Sequence, residues 1–214
     1  STFRDAGGLW DKYPVMQVAS AEGYVRDPEL VIDFYNERRK QLLDVEPNAG
    51  HTGLAELEKD FNVTVVTQNV DNLHERAGST HVIHLHGELT KVCSSRDPYN
   101  PRYVRELKPE EYEVKMGDKA GDGSQLRPFI VWFGEAVPEI ETAIGYVEKA
   151  DIFVIIGTSM NVYPAAGLLN YVPRTAEVYL IDPKPVDTHS MRQIHVIQKG
   201  ASEGVKELKT EILH

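Results

Sequence analysis

The chain has 214 residues, 41% hydrophobic and 26% charged, with a formal net charge of −10. This is an ordinary globular composition, long enough for one large domain or a domain carrying a small inserted module. The acidic balance excludes the basic stripe of a nucleic-acid binder, although lysine-bearing protein surfaces would be attracted at long range.

Residues 1–10, STFRDAGGLW, have no hydrophobic period and two adjacent glycines, so a loop is expected. Residues 27–43 read as a helix: Asp27-Pro28 forms a cap and first-turn pair, with Leu30, Phe34, Leu42 and Leu43 near helical spacing. Tyr35 and Arg38 are three apart and share a face. A turn and second helix follow over 47–60, with His51, Leu54 and Leu57 on one side. The β-branched run 63–66 reads as a buried strand that breaks into Gln68, Asn69 and Asp71. A short helical piece stops at Gly78, and a second apolar run over 81–85 ends at His86-Gly87-Glu88. Two neighbouring strands would thus bring Gln68, Asn69, Asp71 and His86 to one sheet edge, where open α/β sheets bind ligands.

Residues 89–92 continue as a strand into Cys93. The single cysteine rules out an internal disulfide framework and suits a reducing compartment. Residues 93–127 are polar and proline-containing, with local packing expected from Tyr99, Tyr103, Leu107 and Tyr112, and disorder as a competing reading of 116–125. A tetrahedral zinc site needs four N or S ligands, and this segment offers only Cys93, so no metal is expected. Residues 129–133 read as an apolar strand closed by Gly134, and 139–149 as an amphipathic helix through Ile140, Ile144 and Val147. Residues 151–156 read as a fully buried strand ending in Gly157-Thr158-Ser159, a turn able to donate to ribose or phosphate. A further buried strand over 178–181 ends at Asp182, which could accept hydrogen bonds from a ribose, and 203–213 reads as a packing helix. The alternation predicts an α/β, Rossmann-like parallel sheet with helices on both faces plus a small inserted module. No apolar run approaches the roughly 18 residues needed to span a bilayer, and no signal peptide is visible. A cytoplasmic protein with no membrane partner is the expectation.

The string TQNVDNLHERAG, followed by HLHGEL, closely resembles the signature of the sirtuins, the NAD-dependent protein-lysine deacylases. The resemblance runs from Ser1 to about Ser202 and is weakest in the cysteine-poor insert. It implies that residues 1–25 are the cofactor-loop region, where Phe3 shields the reactive ribose carbon and Arg4 helps order the loop. The strand and GAG turn that precede this loop in the family are not in the sequence. Residues 26–60 become the helical segment of the acyl-lysine site, 61–92 and 128–214 the Rossmann core, and 93–127 the small module without its zinc cysteines. The string FYNERRKQL resembles the subclass that removes acidic acyl groups, where Tyr35 and Arg38 would read the acyl carboxylate. A guanidinium can hold a carboxylate through two parallel bonds, to which a phenol adds a third.

The resemblance further implies His86 as the base toward a ribose hydroxyl, with Gln68, Asn69 and Asp71 holding the nicotinamide ribose and carboxamide. Gly157, Thr158, Ser159, Ile181, Asp182 and Ala201 would serve the adenosine side. Val131, Phe133, Gly134 and Glu135 of VWFGE would wall the acyl-lysine tunnel, and Val162 lies in the segment that pairs with the substrate peptide. The implied activity takes acetyl, succinyl or malonyl groups from acylated lysine side chains of proteins. Its products are nicotinamide and O-acyl-ADP-ribose, and a monomer is expected. Two alternatives stand beside it: NAD-dependent protein ADP-ribosyl transfer, and a truncated fold that binds NAD or peptide without turnover.

Overall fold

The computed structural model describes residues 13–157, 165–188 and 192–213. Readings that fall on Phe3, Arg4, Thr158, Ser159 and Val162 lie outside those residues. Helices α1 (Val15–Val18), α2 (Ala21–Arg26), α3 (Pro28–Leu42) and α4 (Ala49–Glu56) come first, then β1 (Val65–Thr67), α5 (Leu73–Arg76), β2 (Val82–His84) and β3 (Gly87–Ser94). Next come β4 (Arg105–Glu106), β5 (Leu126–Ile130), α6 (Ile140–Val147) and β6 (Ile152–Ile156). The described chain closes with α7 (Ala165–Leu168), β7 (Glu177–Ile181), β8 (His195–Ile197) and α8 (Ala201–Ile212). Contacts divide the described residues into two units, those within 13–45, 69–72 and 84–138, and those within 46–68, 73–83 and 139–213.

The second unit carries the parallel sheet. Its order is β6-β7-β8, in register from Ile152↔Glu177 to Ile156↔Ile181 and from Tyr179↔His195 to Ile181↔Ile197. Central β7 is buried from Val178 to Ile181, whereas β6, at one end of the three-strand order, is half-buried along its length. That corrects the expectation of a fully buried strand over 151–156. Leu57, Tyr179, Ile181, Ile197, Val205 and Leu208 form the core, each fully buried aliphatic side chain contributing about 1.5–3 kcal/mol. Helix α8 meets the sheet at Gly204, where an added Cβ would lie 2.2 Å from Ile181 Cγ2. It begins at Ala201 behind an extended Gly200 cap, two residues before the expected start at 203.

The first unit is antiparallel, with order β4-β3-β5 and register Val92↔Pro128, Cys93↔Arg127 and Ser94↔Leu126. Helix α3 starts as its sequence requires: Asp27 Oδ1 accepts the Leu30 N–H, and Pro28 occupies the first turn. Ile32, Val92, Leu107, Val114 and Leu126 form the core. The expected strand over 129–133 instead spans 126–130. Its apolar tail leaves the ladder because the Val131 N–H donates to His86 O and the Trp132 N–H to Glu135 Oε1.

Of the residues expected to pack the insert, Leu107 does enter the core. Val114 and Leu126 enter it too, the Tyr99 ring meets Phe129 at 6.3 Å, and buried polar bonds add to the hold. The Asn36 side-chain amide donates to Val114 O at 2.7 Å and accepts its N–H at 2.9 Å, and Arg39 donates to Leu89 O, Asn36 Oδ1 and Tyr112 O. Burial and the neighbouring Arg38 lower the Arg39 pKa to about 10. Residues 116–125 form a bonded hairpin, with Gly123 N donating to Ala120 O and Leu126 N to Asp118 O, which overturns the disorder reading.

Candidate functional site

β1 ends at Thr67, and the next residues split between the units. Asn69, Val70, Asp71 and Asn72 belong to the antiparallel unit, where two bonds pin them. His84 Nδ1 lies 3.0 Å from Asn69 O, and a carbonyl can only accept, so this ring nitrogen carries the proton. The Leu89 N–H donates to Val70 O at 2.8 Å. His86 sits half-buried in the turn between β2 and β3, held by Val131 N–H on its carbonyl. Gly87 has φ +87°, and a Cβ there would stand 2.1 Å from Phe129 O, so only glycine lets β3 start this close to β5. The strand-end loop, the His-Gly turn and the VWF segment are therefore tied by main-chain bonds within one unit. Asn69 is exposed, Asp71 and Val131 are half-buried, and the Phe133 ring is 58% exposed beside an exposed Gly134.

The same unit holds the pair on α3. Tyr35 is 1% and Arg38 5% exposed, with the guanidinium 5.5 Å from the Tyr35 ring centroid and 5.6 Å from that of Phe34. Burial depresses the Arg38 pKa, while Tyr35 and the carboxylate of Asp71 pull it back up. Burial raises that of Tyr35. The structure thus brings Asp71, expected at the ribose, into the field of Arg38, the arginine expected to read the acyl group.

Glu135, expected as tunnel wall, turns its carboxylate inward. It pairs with Arg127 through contacts of 3.1 and 3.2 Å and accepts from the Tyr99 hydroxyl and the Trp132 N–H. Arg127 also lies 3.9 Å from the Trp132 ring centroid. Burial pushes the Glu135 pKa upward, but the Arg127 bonds outweigh it and hold it below the ordinary carboxylate value.

In the parallel unit, Gly157 adopts φ +60° at the end of β6, and its N–H donates to Ile181 O at 3.1 Å. The Ile181 side chain is core, beneath Gly204, so its carbonyl is the part that shapes this turn. Asp182 is half-buried and caps its own turn, accepting the Lys184 N–H at 2.8 Å. Ala201 is exposed on the first turn of α8. Gln68 Nε2, and Asn72 Oδ1 in the antiparallel unit, are buried and meet no hydrogen-bond partner among the described residues. Each of these buried orphans, taken within its own unit, is a point where a polar ligand group could bond.

Zinc does not fit. Cys93 is fully buried against Pro128 O at 3.8 Å, and burial pushes its thiol up to about 12. Its neighbour Ser94 instead bonds the Asp122 carboxylate and Ser124 Oγ, while the Arg96 and Asp97 N–H groups donate to Ser94 Oγ. The sequence reading missed His84, Arg127 and Trp132. His84 had a signal in the HxH spacing that places it two residues before His86, at the end of β2; Trp132 meets Tyr35, 97 positions away, and Arg127 meets Glu135 across a turn that no periodicity marks.

Comparison with known proteins follows the same lines. A family model described as the Sir2 family matches residues 1–164. An NAD-dependent protein deacylase of Bacteroides thetaiotaomicron is 85% identical over 98% of this chain and 89% of its own length. One from Helicobacter pylori is 48% identical over 99% of this chain and 90% of its own. A solved Sir2 homologue in complex with NAD superposes with a TM-score of 0.83 at 35% identity, covering 100% of this chain and 83% of that one.

Proposed function

The chain belongs to the Sir2 family, and we propose that it is an NAD-dependent protein-lysine deacylase that removes succinyl and malonyl as well as acetyl groups. The observation that carries the acidic-acyl reading is Arg38, a guanidinium 5% exposed and stacked near Tyr35 and Phe34. Burial works against its charge, so a substrate carboxylate would recover electrostatic free energy that an acetyl group cannot.

NAD, when bound, would supply an electrophilic ribose carbon with nicotinamide as its leaving group; with one water consumed, the products would be nicotinamide, free lysine and O-acyl-ADP-ribose. His86 takes a proton from a ribose hydroxyl, work that suits an imidazole side chain. Asn69 and Asp71 hold the ribose, and Gln68 meets the carboxamide with its orphan Nε2. Phe3 and Arg4 order the cofactor loop. Gly157, Thr158, Ser159, Ile181 (through its carbonyl), Asp182 and Ala201 serve the adenosine side. Val131, Phe133 and Gly134 offer apolar surface to the alkyl stem of a neutralised lysine, with Val162 on the peptide strand. Residues 93–127 act as a metal-free supporting module. The substrates are acylated lysines of proteins, met by a cytoplasmic monomer with no nucleic-acid partner; the net charge of −10 and lone buried cysteine support this reading. No helix among the described residues is long and apolar enough to cross a membrane.

The test compares Arg38→Met with the wild type on succinyl-, malonyl- and acetyl-lysine peptides with NAD. The succinyl kcat/KM should fall about 10- to 100-fold, the worth of a charge-assisted contact, and the acetyl value by only a few-fold. Equal losses would sink the acidic-acyl reading. ADP-ribosylated acceptor in place of deacylated peptide would replace the deacylase with a transferase.

A further inference from the structure

We propose that Trp132 is a positioning residue for acyl selection: its indole N–H fixes the Tyr35 hydroxyl as a hydrogen-bond donor toward an acidic acyl group. The inference rests on the reading of Tyr35 and Arg38 as the acyl selector.

Trp132 Nε1 lies 3.0 Å from Tyr35 Oη, with the two residues 2% and 1% exposed. An indole N–H can only donate, so the phenol oxygen accepts here. The Arg38 guanidinium lies 5.5 Å from the Tyr35 ring centroid, and it too can only donate. The indole therefore occupies a lone pair of the oxygen, and the guanidinium beside it offers no acceptor. What the phenol has left is its own proton, which neither neighbour can accept. In so enclosed a place an unmet donor is costly, and a carboxylate entering the site would meet it. A methyl group in the same place would not.

The donor is held from behind. Arg127 lies 3.9 Å from the Trp132 ring centroid, the Trp132 main-chain N–H is fixed on Glu135, and the Tyr24 ring packs at 5.2 Å. None of these contacts comes from α3, so Trp132 brings an orientation to Tyr35 that the helix alone does not impose. Its neighbour Phe133 is the exposed ring; Trp132 itself faces inward and acts through Tyr35.

The experiment measures kcat and KM for Trp132→Phe, Tyr35→Phe and the double variant on succinyl- and acetyl-lysine peptides, alongside thermal melting. Trp132→Phe keeps an aromatic ring and removes the N–H. The succinyl kcat/KM should fall about 3- to 10-fold, chiefly through KM, as expected for one neutral hydrogen bond, with acetyl turnover within about 2-fold. In the Tyr35→Phe background the second substitution should add nothing. Equal losses on both acyl groups, or a full additional loss in the Tyr35→Phe background, would overturn the proposal. Should Trp132→Phe fail to fold, benzothienylalanine at position 132 keeps the indole shape without the N–H and carries the same expectation. Arg38→Met is run in parallel. A succinyl-selective loss there with none in Trp132→Phe sinks this inference alone; no selective loss in Arg38→Met sinks the parent reading and this inference with it.

Discussion

The two units are held by different forces. The parallel unit relies on apolar burial, with Ile181, Ile197, Val205 and Leu208 between sheet and helix. The antiparallel unit has an apolar core too, but its loops hang on buried polar groups: Arg39 on three oxygens, Arg127 on Glu135, Asn36 on Val114. Apolar burial is non-directional and tolerates small changes of position. A buried guanidinium fixes its partners to within hydrogen-bond tolerance and is costly to leave unpaired. The proposed acyl selector and base both lie in the polar unit, where such precision serves an active site.

The contrast can be broken or sharpened by substitution. Arg127→Met leaves Glu135 half-buried without its partner, and should cost about 3–5 kcal/mol in urea unfolding. Adding Glu135→Leu should recover more than half of that loss, because an apolar pair can stand in for a buried ion pair; no recovery would mean the pair has a role beyond its own charges. In the parallel unit, Leu208→Ala, at a position 0% exposed, should cost about 3 kcal/mol by the same assay. Gly204→Ala, driving a methyl against Ile181, should cost about 1–3 kcal/mol. A neutral Gly204→Ala would show that the apolar unit yields more readily than its packing suggests.

The smallest effect concerns Asp122. Hydrogen bonds from Ser124 and Ser94 lower its pKa to about 2 from an ordinary value near 4. A depressed carboxylate stabilises the fold above its unfolded pKa, and that contribution fades as pH falls through the folded value. The melting-temperature gap between wild type and Asp122→Asn should therefore be constant above about pH 5 and close between about pH 4 and 2. A gap that persists unchanged at pH 2 would show that the carboxylate's charge plays no part.

How much of this was legible in the sequence follows the same division. The runs at 152–156 and 177–181 and the Asp27-Pro28 cap rest on local pattern, and the sequence shows them. The end of β5 was misplaced because Val131 and Trp132 direct their N–H groups to His86 and Glu135, which no periodicity records. The links from Asn36 to Val114 and from Arg39 to Tyr112 join residues 78 and 73 positions apart, so the polar support of the insert is also invisible locally. The strand-end polar cluster and the HLHG turn stand out as a candidate site through their resemblance to a family. The inward turn of Glu135 was not, because a carboxylate in a VWFGE string carries no mark of the arginine it will meet.

The central claim is that this chain's chemistry runs through the His86 turn of the polar unit. Its most direct test incubates wild-type and His86→Tyr protein with NAD and a succinyl-lysine peptide, and follows nicotinamide and free lysine by mass. Wild type should release both in equal amounts, and a variant with unchanged melting temperature should release neither product above background. Deacylation persisting in the folded variant would contradict the account.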